Sequence, residues 1–129
     1  MCIIIKIVNI SSNPLPNYGT KGSSGMDLRA FLKNDITIYS MEKKIIKTGL
    51  FIEIPIGYEG QIRSRSGLAL NHGITVLNDP GTIDSDYRGE IKILLLNLSK
   101  NPFLIKNGNR IAQIIFSKHE EIKWNSNLN

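Results

Sequence analysis

The branched apolar runs in this chain are short, and proline, glycine, asparagine or aspartate breaks each within a few positions. That rhythm leaves no window with sustained helical periodicity and reads as an all-β fold. The expected strands are Ile3–Val8, Met26–Phe31, Ile36–Tyr39, Lys44–Ile54, Gly60–Arg65, Ile74–Asn78, Glu90–Asn97, Phe103–Ile105 and Arg110–Lys118. Between them, Pro14-Leu15-Pro16-Asn17, Pro55-Ile56-Gly57, Asp79-Pro80-Gly81 and Lys106-Asn107-Gly108 set the turns. Only Ser66–Leu70 is expected to form a helical turn. Strands at this spacing build a sandwich or a jelly roll. No internal repeat is visible, and the polar closing segment from Lys123 to Asn129 is expected to be loose.

A chain of 129 residues, 41% of them apolar, is expected to form a single domain over 1–129 with its own core. No apolar run approaches the ~20 residues of a membrane helix. The Ile3-Ile4-Ile5 run meets Lys6 without a small-residue cleavage site, so it does not read as a signal peptide. A single cysteine, Cys2, fits a reducing, cytoplasmic compartment. On that reading the Asn-x-Ser triplets at Asn9 and Asn97 are chance products of an asparagine-rich chain.

The net charge of +5 has two readings. With 22 Ile, 2 Val, 13 Asn and 11 Lys, it fits drift in A/T-rich codons first, and a polyanionic partner second. The only dense basic cluster, Lys43, Lys44 and Lys47, lacks the interleaved aromatics of a single-strand stacking platform. Neither a nucleic-acid nor a membrane partner is therefore expected. Of the five arginines, Arg65, Arg88 and Arg110 fall inside motifs, which points to a need for the planar guanidinium fork.

Histidine and cysteine chemistry finds no support. His72 and His119 stand far apart with no second cysteine, which argues against a metal cage, and Cys2 is a poor nucleophile. No Walker-type loop occurs. The informative stretch is Asn78-Asp79-Pro80-Gly81-Thr82-Ile83-Asp84-Ser85-Asp86-Tyr87-Arg88-Gly89-Glu90, a hairpin-like turn between apolar strands. It is either a solvated charged tip or a fixed carboxylate able to orient and deprotonate a water. Arg65-Ser66-Gly67-Leu68-Ala69 is either an anion site or a plain helix start. In Gly108-Asn109-Arg110-Ile111-Ala112-Gln113, the spacing of Arg110 and Gln113 places them on opposite strand faces. Asp27, inside an apolar run, is expected to pair with Arg65 or Arg110.

Together, Gly25-Met26-Asp27-Leu28, Arg65-Ser66-Gly67-Leu68-Ala69, Gly81-Thr82-Ile83-Asp84-Ser85-Asp86-Tyr87-Arg88-Gly89 and Gly108-Asn109-Arg110-Ile111-Ala112-Gln113 resemble the first four motifs of the trimeric deoxyuridine triphosphatases, in family order. The resemblance implies a jelly-roll-like β-barrel, a homotrimer with sites at subunit interfaces, and Mg²⁺-assisted hydrolysis of dUTP to dUMP and pyrophosphate, which keeps uracil out of DNA. It implies that Asp84 orients the water attacking the α-phosphorus. Ser66, Gly67 and the neighbouring backbone would hold phosphate oxygens, assisted by Arg65 and Gln113. Asn78, Thr82, Ile83 and the hairpin running to Lys92 would read the base, and Tyr87 would pack under the deoxyribose. Mg²⁺ would be held through phosphates and water, with Asp27 either in its outer shell or orienting an arginine.

Two departures from the family pattern stand out. Ser64 occupies the place where the family commonly has proline, a change expected to be tolerated. The chain also reaches Asn129 without the family's glycine-rich arm. Either the sequence is cut short or this member works without a lid, and the implied consequence is dUTP binding with slow hydrolysis. The competing readings are a catalytically weak dUTP-binding or regulatory protein on the same fold and a dCTP deaminase relative, although no motif supplies the glutamate that deamination needs.

Overall fold

The computed structural model describes residues 2–127. Its elements in chain order are β1 (Lys6–Asn9), β2 (Met26–Arg29), β3 (Ile36–Ile38), β4 (Lys43–Lys47), β5 (Leu50–Glu53), β6 (Tyr58–Arg63), α1 (Ser66–His72), β7 (Ile74–Val76), β8 (Gly81–Ile83), β9 (Lys92–Asn97), β10 (Phe103–Ile105) and β11 (Arg110–Lys118). The strands pair in four small antiparallel sheets, ordered β1-β5, β10-β3, β2-β11-β6-β8 and β4-β9-β7. They close around one cluster of branched side chains, the barrel-like all-β arrangement expected.

Alternation sets which side chains enter that cluster. Along β9, Ile93, Leu95 and Asn97 are fully buried while Lys92 faces solvent. Leu28, Ile38, Ile46, Ile74, Ile105 and Ile111 from the other strands, and Ile91 just ahead of β9, join the same cluster. Each such burial contributes about 1.5–3 kcal/mol, so the abundant isoleucines are the main source of cohesion. Helix α1 buries no residue fully and ends where Gly73 takes a left-handed φ of 66°, its N–H donating to the Ala69 and Leu68 carbonyls.

The bounds expected for Phe103–Ile105 and Arg110–Lys118 are those observed. The single strand expected over Lys44–Ile54 is instead two, β4 and β5, broken at Thr48-Gly49. Gly49 has φ +71°, and a Cβ there would lie 2.9 Å from Ser11 Cβ and 3.0 Å from Phe31 Cδ2, so the chain can switch sheets only at glycine. Thr48 Oγ1 donates to the Ile91 carbonyl at 2.6 Å and accepts from Leu50 N–H at 3.2 Å, which satisfies this buried hydroxyl.

The Asn-x-Ser triplets, expected to be accidental, build the same turn twice. Asn9 Oδ1 accepts from Ser11 N (3.0 Å) and Oγ (2.6 Å), and its Nδ2 donates to the Asn13 carbonyl (2.9 Å). Asn97 does the same with Ser99 N (2.9 Å), Ser99 Oγ (2.7 Å) and the Asn101 carbonyl (2.8 Å). Asn9-Ile10-Ser11-Ser12-Asn13-Pro14 and Asn97-Leu98-Ser99-Lys100-Asn101-Pro102 are thus a short internal repeat that the expectation of none missed. The asparagine amide replaces missing backbone partners at a strand end. Residues 119–127 carry no helix or strand and are exposed, while Leu128 and Asn129, the end of the segment expected to be loose, lie outside the described residues.

Candidate active site

The stretch from Asn78 to Lys92 is not a laddered hairpin. Its first arm, β8, pairs with β6, whereas its second arm, β9, pairs with β4 and β7. The arms therefore diverge into different sheets. The glycine-rich, charged sequence that reads as a tight hairpin turn is instead the lip of an opening. Between the arms lies a cleft of about 200 Å³ with an apolar floor of Ile62, Val76 and Leu94. Asn78, Gly81, Thr82, Ile83, Asp84, Tyr87 and Lys92 line it. Six sequence-predicted residues thus come together, and the apolar floor of Ile62, Val76 and Leu94 is the addition that no motif contains.

The polar groups of this cleft divide by their partners. No described residue engages the side chains of Asn78, Thr82, Asp84 or Lys92, so these groups are available to a ligand. Tyr87 is scaffolded instead. Its N–H donates to the Asp84 carbonyl at 3.1 Å and its hydroxyl to the Glu90 carbonyl at 2.7 Å. The ring lies so close over Gly89 that a Cβ there would fall 2.5 Å from the phenol oxygen. Arg88 uses its fork on the Ser85 carbonyl at 2.6 Å, the Tyr87 carbonyl at 3.1 Å and Glu53 at 3.6 Å. It pins the loop rather than facing the cleft.

A second cleft, of about 290 Å³, is lined by Arg29, Arg65, Leu68, Phe103, Gly108, Asn109, Arg110 and Ile111. Asp27 is shared between two guanidiniums, with Oδ1 3.1 Å from Arg65 Nε and Oδ2 3.6 Å from Arg110 Nη1. Both expected partners are therefore used. Three guanidiniums against one carboxylate leave this cleft cationic, with planar forks suited to phosphate oxygens. Arg29, held by the Gly108 carbonyl at 2.9 Å, went unrecognised as part of it, although it lies two residues from Asp27 on the same strand face.

The expectation that Arg110 and Gln113 face opposite ways is wrong. The register runs Arg110↔Arg29, then Ala112↔Leu28 and Gln113↔Asp27, with a bulge between Arg110 and Ala112. The extra residue returns Arg110 and Gln113 to one face, alongside Arg29 and Asp27. Burial of the consecutive Ile111 and Ala112 is the trace of that bulge. Gln113 Nε2 donates to the Ser64 carbonyl at 3.0 Å. A Cβ at Gly25 would sit 2.6 Å from Gln113 Oε1, so glycine makes room for that amide. Ser66 and Gly67 are exposed at the start of α1, where no side chain caps the helix.

The two clefts share no lining residue. Among the described residues, no three His, Cys, Asp or Glu side chains gather into a metal cluster. His72 packs on Phe103, ring centroids 5.2 Å apart, and His119 Nδ1 lies 3.3 Å from the Glu120 carbonyl, both local roles. No helix among the described residues is long and apolar enough to cross a membrane.

The family profile named dUTPase matches residues 11–129. The chain is 58% identical over 120 residues to the deoxyuridine 5'-triphosphate nucleotidohydrolase of Finegoldia magna, covering 93% of this chain and 84% of that protein. It is 55% identical over 123 residues to that of Wolbachia pipientis subsp. Culex pipiens, covering 95% and 80%. Among solved structures, a mutant dUTPase from phage phi11 of S. aureus superposes with a TM-score of 0.88 at 20% identity, covering 98% of both chains, and that protein coordinates a structural Mg(II) ion. The dUTPase of Staphylococcus bacteriophage 80alpha gives 0.87 at 21% identity, covering 98% of this chain and 97% of that one. The barrel is theirs in architecture, and the sequence matches go further: the chain belongs to the dUTPase family.

Proposed function

We propose that this protein hydrolyses dUTP to dUMP and pyrophosphate in the cytoplasm, as a homotrimer, with Asp84 orienting the attacking water. The observation that carries this reading is the splayed cleft, in which a carboxylate without a partner stands beside unpaired amide and ammonium groups on an apolar floor. Uracil presents acceptor, donor and acceptor along its pairing edge. Asn78, the diverging backbone of Thr82 and Ile83, and the arm reaching Lys92 can answer that pattern. Cytosine would leave a donor facing a donor, and buried unpaired groups discriminate strongly. Tyr87, fixed over Gly89, would form the face against the sugar and exclude a ribose hydroxyl.

In the reaction the water oxygen bonds to the α-phosphorus while the bridging bond to the β-phosphate breaks, releasing pyrophosphate. Asp84 accepts the water's proton. Arg65, Arg29 and Arg110, with Ser66, Gly67 and the second N–H of Gln113, would neutralise and align the phosphates. The donor set suits a magnesium ion that arrives with the triphosphate, because Mg²⁺ keeps its waters and takes few carboxylates. Asp27, between Arg65 and Arg110, is a carboxylate on the phosphate side that could reach its outer shell. When bound, Mg²⁺ supplies charge neutralisation on the phosphates.

The separateness of the two clefts supports a site assembled from the base cleft of one chain and the cationic cleft of another. The apolar groove lined by Ile3, Ile5, Leu15, Tyr18 and Phe116, about 510 Å³, supports association as well. The test is pyrophosphate release from dUTP, dCTP, dTTP and UTP with Mg²⁺, alongside Asp84→Asn. Release from dUTP alone, lost in the variant, is expected. Saturable dUTP binding without release would point to a binding protein, and ammonia from dCTP to a deaminase.

A further inference from the structure

Ser64 joins the end of β6 to the segment that carries Arg65 and Ser66, and every polar group it owns is engaged. Its N–H donates to Asp79 Oδ2 at 2.9 Å, and its carbonyl accepts from Gln113 Nε2 at 3.0 Å. Its Oγ accepts from Val76 N–H at 2.8 Å and lies 2.9 Å from Thr75 Oγ1. One residue thereby ties this segment to β11, to β7 and to the turn before β8. Asp79 stands between Asn78 and Gly81, both of which line the base cleft. Its carboxylate has no other partner among the described residues.

We propose that the Ser64–Asp79 hydrogen bond is a latch that positions Arg65 and Ser66 for the phosphates. Ser64 and Asp79 are positioning residues, and the proposal rests on the dUTP reading above. The placement of Asp79 carries the argument. A bare carboxylate one residue from an arginine that receives a triphosphate repels the substrate, so its presence there calls for a compensating role. An N–H donor at position 64 supplies one, since the bond to a carboxylate is charge-assisted and fixes the chain just before Arg65. The bond is solvent-exposed, so it adds little to folding. Small displacements of phosphate-aligning groups nevertheless slow in-line transfer.

The experiment measures kcat and KM for dUTP in the unaltered protein, Asp79→Ala, Asp79→Asn, Ser64→Pro and the Asp79→Ala/Ser64→Pro double variant. Proline removes the N–H donor together with the hydroxyl that accepts from Val76 N–H, alanine removes the acceptor, and asparagine removes the charge while keeping an acceptor oxygen, so the Asp79 pair isolates the bond itself. Asp79→Ala and Ser64→Pro are each expected to lower kcat by about three- to tenfold, with KM held within about twofold. Asp79→Asn is expected to stay near the unaltered rate, and the double variant to be no slower than the slower single one. Losses that multiply in the double variant overturn the latch, as does an Asp79→Asn variant as slow as Asp79→Ala. So does an unchanged kcat with lowered KM in Asp79→Ala, which is the signature of repulsion alone. If Ser64→Pro does not fold, the two Asp79 variants decide the matter. An unaltered protein that releases no pyrophosphate from dUTP overturns the functional reading and the latch with it.

Discussion

Replacing Gly89 by alanine separates the seating of Tyr87 from the stability of the fold. The new Cβ would stand 2.5 Å from the phenol oxygen, 2.7 Å from Cζ and 3.1 Å from Cε1, so the ring must move. Tyr87 is 43% exposed, which leaves it free to swing outward instead of straining the barrel. What the fold loses is the 2.7 Å bond from the hydroxyl to the Glu90 carbonyl, worth about 0.5–1.5 kcal/mol. Alanine restores about 0.4–1 kcal/mol by restricting the unfolded chain. The net stability change therefore stays within about 1 kcal/mol. Discrimination has no such offset. On the proposed reading, a ring that has left the sugar face would no longer exclude the ribose hydroxyl, and the ratio of kcat/KM for dUTP over UTP is expected to fall by about tenfold or more. Pyrophosphate release from both nucleotides, with thermal unfolding of the same samples, measures both quantities. Tyr87→Phe, which keeps the ring over Gly89, is the control and is expected to retain most of the ratio. An unchanged dUTP/UTP ratio in Gly89→Ala would refute the seating argument.

Asp27→Ala frees Arg65 and Arg110, and because all three side chains are partly exposed its cost to stability is expected to stay below about 1 kcal/mol. Its kinetic effect is expected to be a raised KM for dUTP, read by steady-state assay. Asn97→Ala removes a fully buried amide bonded to the Ile38 and Asn101 carbonyls and to Ser99, and is expected to destabilise by about 3 kcal/mol in denaturant titration. Leu95→Ala, in the centre of β9, is expected to cost about 2–5 kcal/mol in the same titration. Chelating Mg²⁺ is expected to abolish pyrophosphate release while leaving the unfolding temperature of the free protein unchanged, since no described cluster holds the metal without nucleotide.

The all-β class and most strands are legible in the sequence because the isoleucine runs and their turn residues report the core directly. The nucleotide motifs are legible because each carries side chains whose chemistry suits phosphate or base. What escapes is set by contacts remote in sequence. Gly49 looks like one more residue of a long strand until Ser11 and Phe31 close in on it. Gly81–Ile83, between Pro80 and Asp84, reads as part of a charged turn, and β6 alone gives it a partner. The bulge at Ile111 reverses a face assignment that period-two spacing dictates, although two consecutive fully buried residues on a half-exposed strand are its signature. The repeated Asn-x-Ser-x-Asn-Pro pattern is visible in the sequence, but only the hydrogen bonds of Asn9 and Asn97 mark it as a turn. Arg29 joins the cationic cleft only through its pairing with Arg110 across the bulge and the Gly108 carbonyl that holds it, contacts about 80 positions away in the chain.

The proposed mechanism turns on direct attack of water at the α-phosphorus. Hydrolysis of dUTP in ¹⁸O-labelled water, with the products separated and weighed by mass spectrometry, tests it most directly. Attack at that phosphorus leaves one labelled oxygen in dUMP and none in pyrophosphate. Label in pyrophosphate would place the attack on the β-phosphorus and contradict it.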